Sequence, residues 1–167
     1  AVAMANYVTL LQSQGNLVYY FSFHSYSQMV LIPHSHLGGA DVVQIPNYAD
    51  MYEIAIKGMD KLREKYGTHY LVGTSLDILY PASGGSFDWV KGGANVPLVY
   101  LFELRDIGQY GFLLPSELII PNNEEIIDGL VEMDRVTRQL RYYTYQSSAS
   151  IFRLSTVVFV LAMMLVL

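Results

Sequence analysis

Two residues capable of acid–base or metal chemistry follow apolar runs in this sequence. His24 comes directly after the run Tyr19–Phe23, and Glu103 comes directly after Leu98–Phe102. Long apolar and aromatic runs are typical of strands that are buried on both faces, as in parallel sheets. Ligands of open α/β sheets bind beyond the carboxyl ends of such strands. The positions of His24 and Glu103 therefore indicate a functional site at one edge of a sheet.

Each of these two residues also has a simpler explanation. A carboxylate that follows an apolar run is costly unless it is paired, protonated or bound to a ligand, and Glu103 could pair with the nearby Arg105 or with another base. His24 could be a hydrogen-bonded histidine at the end of a strand. The occurrence of both residues at the same predicted edge favours a site, but it does not specify the reaction.

Helices alternate with these strands along the chain. Apolar residues recur in the helices at three- and four-residue steps. The predicted helices cover residues 2–13, 48–66 and 121–140, and a further short strand covers 69–72. We expect Asn47 to cap the second helix, and Glu124 and Glu125 to lie near the positive end of the third helix dipole. The alternation predicts an α/β fold with an open, mostly parallel sheet.

Composition narrows the class of protein and the class of partner. The 167 residues are 52% hydrophobic and 15% charged, with a net charge of −5 and no cysteine. A chain this apolar has to bury a substantial core, and its length suits one domain. Nucleic acid is excluded as an expected partner because there is no basic cluster to neutralise phosphates. The lack of cysteine excludes disulfides and thiolate metal sites.

Four segments resemble, in their order and spacing, the zinc carboxypeptidases of the A/B type. These segments are Phe23–Gln28, Tyr80–Trp89, Phe102–Asp106 and Tyr110–Pro115. The resemblance covers about residues 1–135, and it implies part of an open, mainly parallel mixed sheet with helices on both faces. It also implies that the chain is the C-terminal portion of a catalytic domain that is truncated at its N-terminal side.

The resemblance also implies roles for individual residues. Such enzymes bind Zn²⁺ through two histidines and one glutamate, with water in the fourth position. His24 is similar to one of these zinc ligands. Glu103 is similar to the glutamate that takes a proton from the water and passes it to the leaving amine, and Arg105 resembles an arginine of the peptide-binding cleft that assists the polarised carbonyl.

A further set of residues resembles the substrate-binding part of the family. Tyr80 is similar to a mobile tyrosine that closes over bound peptide, and Ser25 and Tyr26 are similar to residues that line the neighbouring subsites. Phe87 matches the floor of the pocket for the terminal side chain, and Phe112 matches a hydrophobic wall. Because Phe87 carries no charge, the resemblance implies a preference for an apolar or aromatic C-terminal residue.

One family motif is missing from this sequence. The family takes its other two zinc ligands from His-x-x-Glu, but the residues three positions after the four histidines are Ser27, Leu37, Gly39 and Val72. One protein ligand cannot hold zinc tightly. We therefore expect this chain alone to be inactive, as a fragment of a peptidase. The alternative is a non-catalytic, peptidase-like binding protein without a complete zinc site.

The last part of the sequence differs in composition from the rest. We expect residues 1–143 to belong to the carboxypeptidase-like domain and residues 144–167 to be a linker and a hydrophobic tail. Small residues followed by an apolar C-terminus resemble a lipid-anchor attachment signal. A marginal transmembrane helix and a terminal helix packed in the core are the alternatives. The expected setting is extracellular, secreted or anchored at the cell surface, with peptide or protein C-termini as partners.

Overall fold

A mixed sheet lies at the centre of the protein. The computed structural model describes residues 1–15 and 17–143, together with the backbone at 159–160. The strands are β1 (Tyr19–Ser25), β2 (Met29–Ile32), β3 (Leu71–Thr74), β4 (Leu98–Leu104) and β5 (Phe159–Val160). The helices are α1 (Val2–Ser13), α2 (Tyr48–Tyr66), α3 (Ser75–Ile78), α4 (Ser86–Gly92) and α5 (Ile119–Gln139), and 3-10 turns cover Gly39–Gln44 and Ser116–Leu118.

The order of the strands confirms the expected fold class. Within the described residues the order across the sheet is β3-β2-β4-β1-β5. Strand β1 runs parallel to β4 and β5, β2 runs parallel to β3, and β2 runs antiparallel to β4. The sheet is therefore mixed and mainly parallel, and its centre is the long pair β1–β4.

Helices cover both faces of the sheet, as predicted. The larger core cluster packs aromatic residues of β1 and β4, among them Tyr19, Phe21 and Tyr100, against α2 and α5. The second cluster lies on the other face, where Tyr20 of β1 and Val99 of β4 pack with α1 and α4. Because successive side chains of a strand alternate between faces, each strand contributes to both clusters.

Three local expectations differ from the structure. Strand β2, the four-residue apolar segment Met29–Ile32, is not predicted from the sequence. Helix α5 begins at Ile119, so Glu124 and Glu125 lie beyond its first turn and do not face the positive end of the dipole. Asn47 precedes α2, but its side chain does not cap the helix. Its amide instead donates to the Pro97 carbonyl and the Tyr142 hydroxyl.

The predicted tail lies almost entirely outside the described residues. Only the backbone at 159–160 is described within residues 144–167, so the lipid-anchor and membrane-segment predictions stay predictions. Among residues 1–15 and 17–143, no helix combines the length and the apolar character that crossing a membrane requires.

Lys91 anchors α4 to the elements around it. Its ammonium is buried and donates to the Asn47 side-chain oxygen and, at 2.7 Å, to the Pro97 carbonyl. Both acceptors are uncharged, and burial lowers the pKa of Lys91 to about 8. These bonds join α4 to the start of α2 and to the segment that enters β4.

A buried ion pair ties the end of β4 to α5. The Glu125 side chain is fully buried, and the Arg105 guanidinium binds both of its carboxylate oxygens, with Nε 2.7 Å from Oε1. Thr68 donates to Oε2 of Glu125 at 2.6 Å and accepts a bond from Arg105 at 2.7 Å. The Tyr66 ring lies 5.8 Å from the guanidinium carbon. This contact fixes the direction in which the chain leaves β4.

We expect Glu125→Gln to destabilise the protein strongly. The substitution keeps the shape of the side chain but leaves the Arg105 charge without its counter-ion. Breaking a buried pair in this way costs roughly 3 kcal/mol of the free energy of unfolding. Urea denaturation monitored by circular dichroism measures this difference.

The matched control is Glu64→Gln. Glu64 pairs with Lys61 on the exposed surface of α2, where ion pairs contribute little. The urea concentration at the midpoint of unfolding of Glu64→Gln should stay close to that of the wild type. Equal destabilisation by the two substitutions would contradict the assigned importance of the Arg105–Glu125 pair.

Candidate active site

The pairing of β1 with β4 places His24 beside Glu103. The register runs from Tyr19 opposite Leu98 to Ser25 opposite Leu104, and it makes His24 and Glu103 direct neighbours. Adjacent strands are about 4.8 Å apart, and neighbours in register point to the same face of the sheet. The two residues therefore lie side by side at the carboxyl end of the central strand pair, on the face covered by α1 and α4.

His24 is half-buried and has a buried hydrogen-bond partner. Its Nε2 lies 2.9 Å from Oγ of Ser22, two residues earlier on the same strand. Burial lowers the pKa of His24 below its ordinary value of 6.5, so the imidazole is neutral at neutral pH. A neutral imidazole with one nitrogen available is the form that binds a metal ion.

Glu103 is half-buried and has no charged partner. Among residues 1–15 and 17–143, no hydrogen bond or ion pair engages its carboxylate, since the Arg105 guanidinium is bound to Glu125. Burial raises the pKa of Glu103 to about 7. The simpler explanation of an ion pair with Arg105 is therefore wrong. A carboxyl with this pKa can both accept and release a proton near neutral pH.

The donor groups fit part of a zinc site. The His24 imidazole is a suitable ligand for zinc, and the Glu103 carboxylate lies next to it. In the part of the chain that the structure describes, no group of three or more His, Cys, Asp or Glu side chains could hold a metal ion.

An aromatic pair lies beyond the end of β1. The rings of Tyr26 and Phe112 are in edge-to-face contact at 5.0 Å, and Phe112 is largely exposed. A Cβ at Gly111 would lie 3.2 Å from the Tyr26 ring, so glycine permits this close approach. Ser25, at the last position of β1, is exposed. Three residues predicted from the sequence thus lie at or beyond the strand ends: Ser25 at the end of β1, Tyr26 directly after it, and Phe112 in the segment that follows β4.

Asp106, which was not predicted as a site residue, holds the segment that carries Phe112. Its carboxylate accepts backbone N–H bonds from Gly108, Tyr110 and Gly111 at 2.7–3.0 Å. Desolvation acts to raise the pKa of Asp106, but these three bonds together lower it. An aspartate followed by glycines at two and five positions is a turn signal that could have identified it.

Three other predicted site residues differ in their surroundings. Arg105 points to Glu125 on the opposite side of the sheet, so the structure shows no contact with the Glu103 carboxylate. The Phe87 ring is only 4% exposed and belongs to the core cluster under α4. Tyr80 is 61% exposed and precedes the irregular segment Pro81–Gly85.

Comparisons with known proteins show which protein family this chain is similar to. The sequence profile of the zinc carboxypeptidase family, Peptidase_M14, matches residues 1–129. The chain is 40% identical over 132 residues to zinc carboxypeptidase A 1 of Anopheles gambiae, with 78% of this chain and 30% of that protein aligned. It is 39% identical over 122 residues to carboxypeptidase B of Astacus astacus, with 72% of this chain and 39% of that protein aligned.

A solved structure shows the same fold. The structure of bovine thrombin-activatable fibrinolysis inhibitor in complex with tick carboxypeptidase inhibitor aligns with a TM-score of 0.71 and 28% identity, over 82% of this chain and 45% of that one. The chain thus spans less than half the length of each of these relatives, 30% of the Anopheles gambiae protein and 39% of the Astacus astacus protein. The sequence profile, the identities and the fold agree, and the chain belongs to the zinc carboxypeptidase family.

Proposed function

We propose that this chain is the C-terminal part of the catalytic domain of a zinc metallocarboxypeptidase. The complete protein would remove the C-terminal residue from peptides and proteins. The observation that carries this proposal is the unpaired Glu103 carboxyl beside the neutral His24 imidazole at the end of two parallel strands. These are a proton acceptor and a metal ligand in adjacent positions, as hydrolysis of a peptide bond by an activated water requires.

Glu103 is the general base in the proposed mechanism. Bound zinc supplies a Lewis acid that makes water more acidic and polarises the carbonyl of the scissile bond. Glu103 accepts a proton from the attacking water and donates it to the leaving amine. Its pKa of about 7 supports both transfers, because neither protonation state is strongly favoured near neutral pH. His24 would bind the zinc through its imidazole as one of the ligands.

The remaining residues form the proposed peptide-binding surface. Ser25, Tyr26 and Phe112 would contact the peptide before the scissile bond, and the exposed Tyr80 would close over it. Phe87 would form the base of the pocket for the terminal side chain from within α4. The burial of Phe87 among apolar residues supports a pocket base without charge, and hence a preference for apolar or aromatic C-terminal residues.

Arg105 has a different place in this proposal from the one that the resemblance implies. Its guanidinium is engaged by Glu125 and Thr68, so it supports the end of β4 and the segment after it. We therefore assign Arg105 to positioning Glu103 and Asp106, its neighbours in the chain. The proposed setting is extracellular, and membrane attachment through residues 144–167 remains a prediction.

We expect Glu103→Gln in the complete protein to abolish hydrolysis without loss of zinc. Removing a general base lowers the rate by a factor of about 100 or more. Wild-type kcat/KM should also fall as the pH drops through the pKa of Glu103, because a protonated Glu103 cannot accept a proton. Burial raises this pKa, and zinc, when bound, would lower it. Peptide hydrolysis and zinc content of the purified protein are the measurements.

The matched control for this test is Glu117→Gln, at an exposed glutamate of the 3-10 turn that precedes α5. It should leave both hydrolysis and zinc content unchanged. Retained turnover in Glu103→Gln would refute the role of Glu103. A complete wild-type protein that binds no zinc would instead favour a non-catalytic, peptidase-like binding protein.

We expect the complete protein to prefer peptides that end in phenylalanine or leucine over peptides that end in arginine or lysine. A cationic side chain in an apolar pocket would lose its hydration without gaining a partner. This free-energy cost should make kcat/KM for the basic peptides more than tenfold lower than for the apolar ones. Phe87→Asp should move the preference toward basic residues, with circular dichroism as the test that the variant folds. Equal or faster cleavage of basic peptides by the wild type would refute the pocket assignment.

A further inference from the structure

Ser22 is the one polar residue within the apolar run that forms most of β1. Its side chain is 2% exposed, and it lies between Phe21 and Phe23 in the sequence. A buried hydroxyl is costly unless it has a hydrogen-bond partner. The partner in this structure is the imidazole of His24, whose Nε2 lies 2.9 Å from Oγ of Ser22.

The position of this bond determines which nitrogen of His24 is available. Ser22 and His24 are two residues apart on one strand, so their side chains leave the same face of the sheet. Nε2 turns back toward the buried hydroxyl, and Nδ1 is left for another partner. The tautomer of a histidine is set by the hydrogen bond of the nitrogen that does not bind the metal.

We propose that Ser22 is a positioning residue, whose Oγ accepts a hydrogen bond from Nε2–H of His24 and so keeps Nδ1 deprotonated as the zinc-binding nitrogen. This inference rests on the proposed zinc site and adds to it the residue that selects the tautomer. Water cannot easily replace the hydroxyl, because the position of Ser22 is almost inaccessible to solvent. The loss of the hydroxyl would leave Nε2 without this partner and free the ring to adopt either tautomer.

The first test uses the metal-free chain and needs no catalysis. Nitrogen-15 NMR of labelled histidine, recorded at a pH where the imidazole is neutral, reports which ring nitrogen of His24 carries the proton. The expected result for the wild type is a protonated Nε2. A protonated Nδ1 would overturn the inference, whatever the effect of any substitution.

The second test measures the zinc affinity of the complete protein by competition with a chelator. Ser22→Ala should lower the affinity by a factor of about 10 to 100, the usual effect of removing a residue that orients a metal ligand. Ser22→Thr keeps a hydroxyl at the same position and should recover most of the affinity. Equal affinities for the wild type and Ser22→Ala would overturn the inference.

Ser35 provides a matched control. It is also buried, at 1% exposure, and within the described residues its hydroxyl has no hydrogen-bond partner. Ser35→Ala should change neither the tautomer of His24 nor the zinc affinity, and a loss as large as that in Ser22→Ala would overturn the specific role of Ser22. A wild-type protein without any zinc affinity would refute the proposed function. A wild type that binds zinc independently of Ser22 would refute this inference alone.

Discussion

The proposed site depends on the in-register parallel pairing of β1 with β4. Seven consecutive residue pairs join the two strands, and the sixth pair is His24 with Glu103. Side chains alternate between the faces of a sheet, so a shift of one residue would place the imidazole and the carboxylate on opposite sides. Aromatic residues of both strands pack against α2 and α5, and this packing fixes the register. The core thus determines whether a site can exist at the strand ends.

Glu125 and Glu103 lie in opposite environments near the carboxyl end of β4. This contrast explains why only Glu103 is proposed as a proton acceptor. Glu125 is fully buried, but it is bound by the Arg105 guanidinium and the Thr68 hydroxyl, so its charge is compensated. Glu103 is only half-buried, yet it has no compensating group among the described residues, and its pKa rises to about 7. The Arg105 guanidinium is bound to Glu125 and does not pair with Glu103. Among the described residues, the fold therefore pairs the Glu125 carboxyl and leaves the Glu103 carboxyl unpaired.

The sequence predicts the main elements because their signals are local. Apolar spacing and Gly67 predict α2, and the long apolar runs predict β1 and β4. The short strand β2 gives no comparable signal, and the side chain of Asn47 is taken by distant groups rather than by the helix end. The pairing of Arg105 with Glu125 joins residues 20 positions apart, and no pattern along the chain specifies it. The resemblance to a family identifies the candidate site residues. Only the fold shows on which face of the sheet each of their side chains lies.

The most direct measurement is the titration of the Glu103 side-chain carboxyl by carbon-13 NMR. In the metal-free chain, a carboxyl that is partly desolvated and unpaired should titrate with a midpoint of about 7. Glu103→Gln identifies the resonance, because its signal disappears in that variant. A midpoint near the ordinary glutamate value of 4.5 would show that Glu103 is solvated or paired with a cation, and it would contradict the central claim.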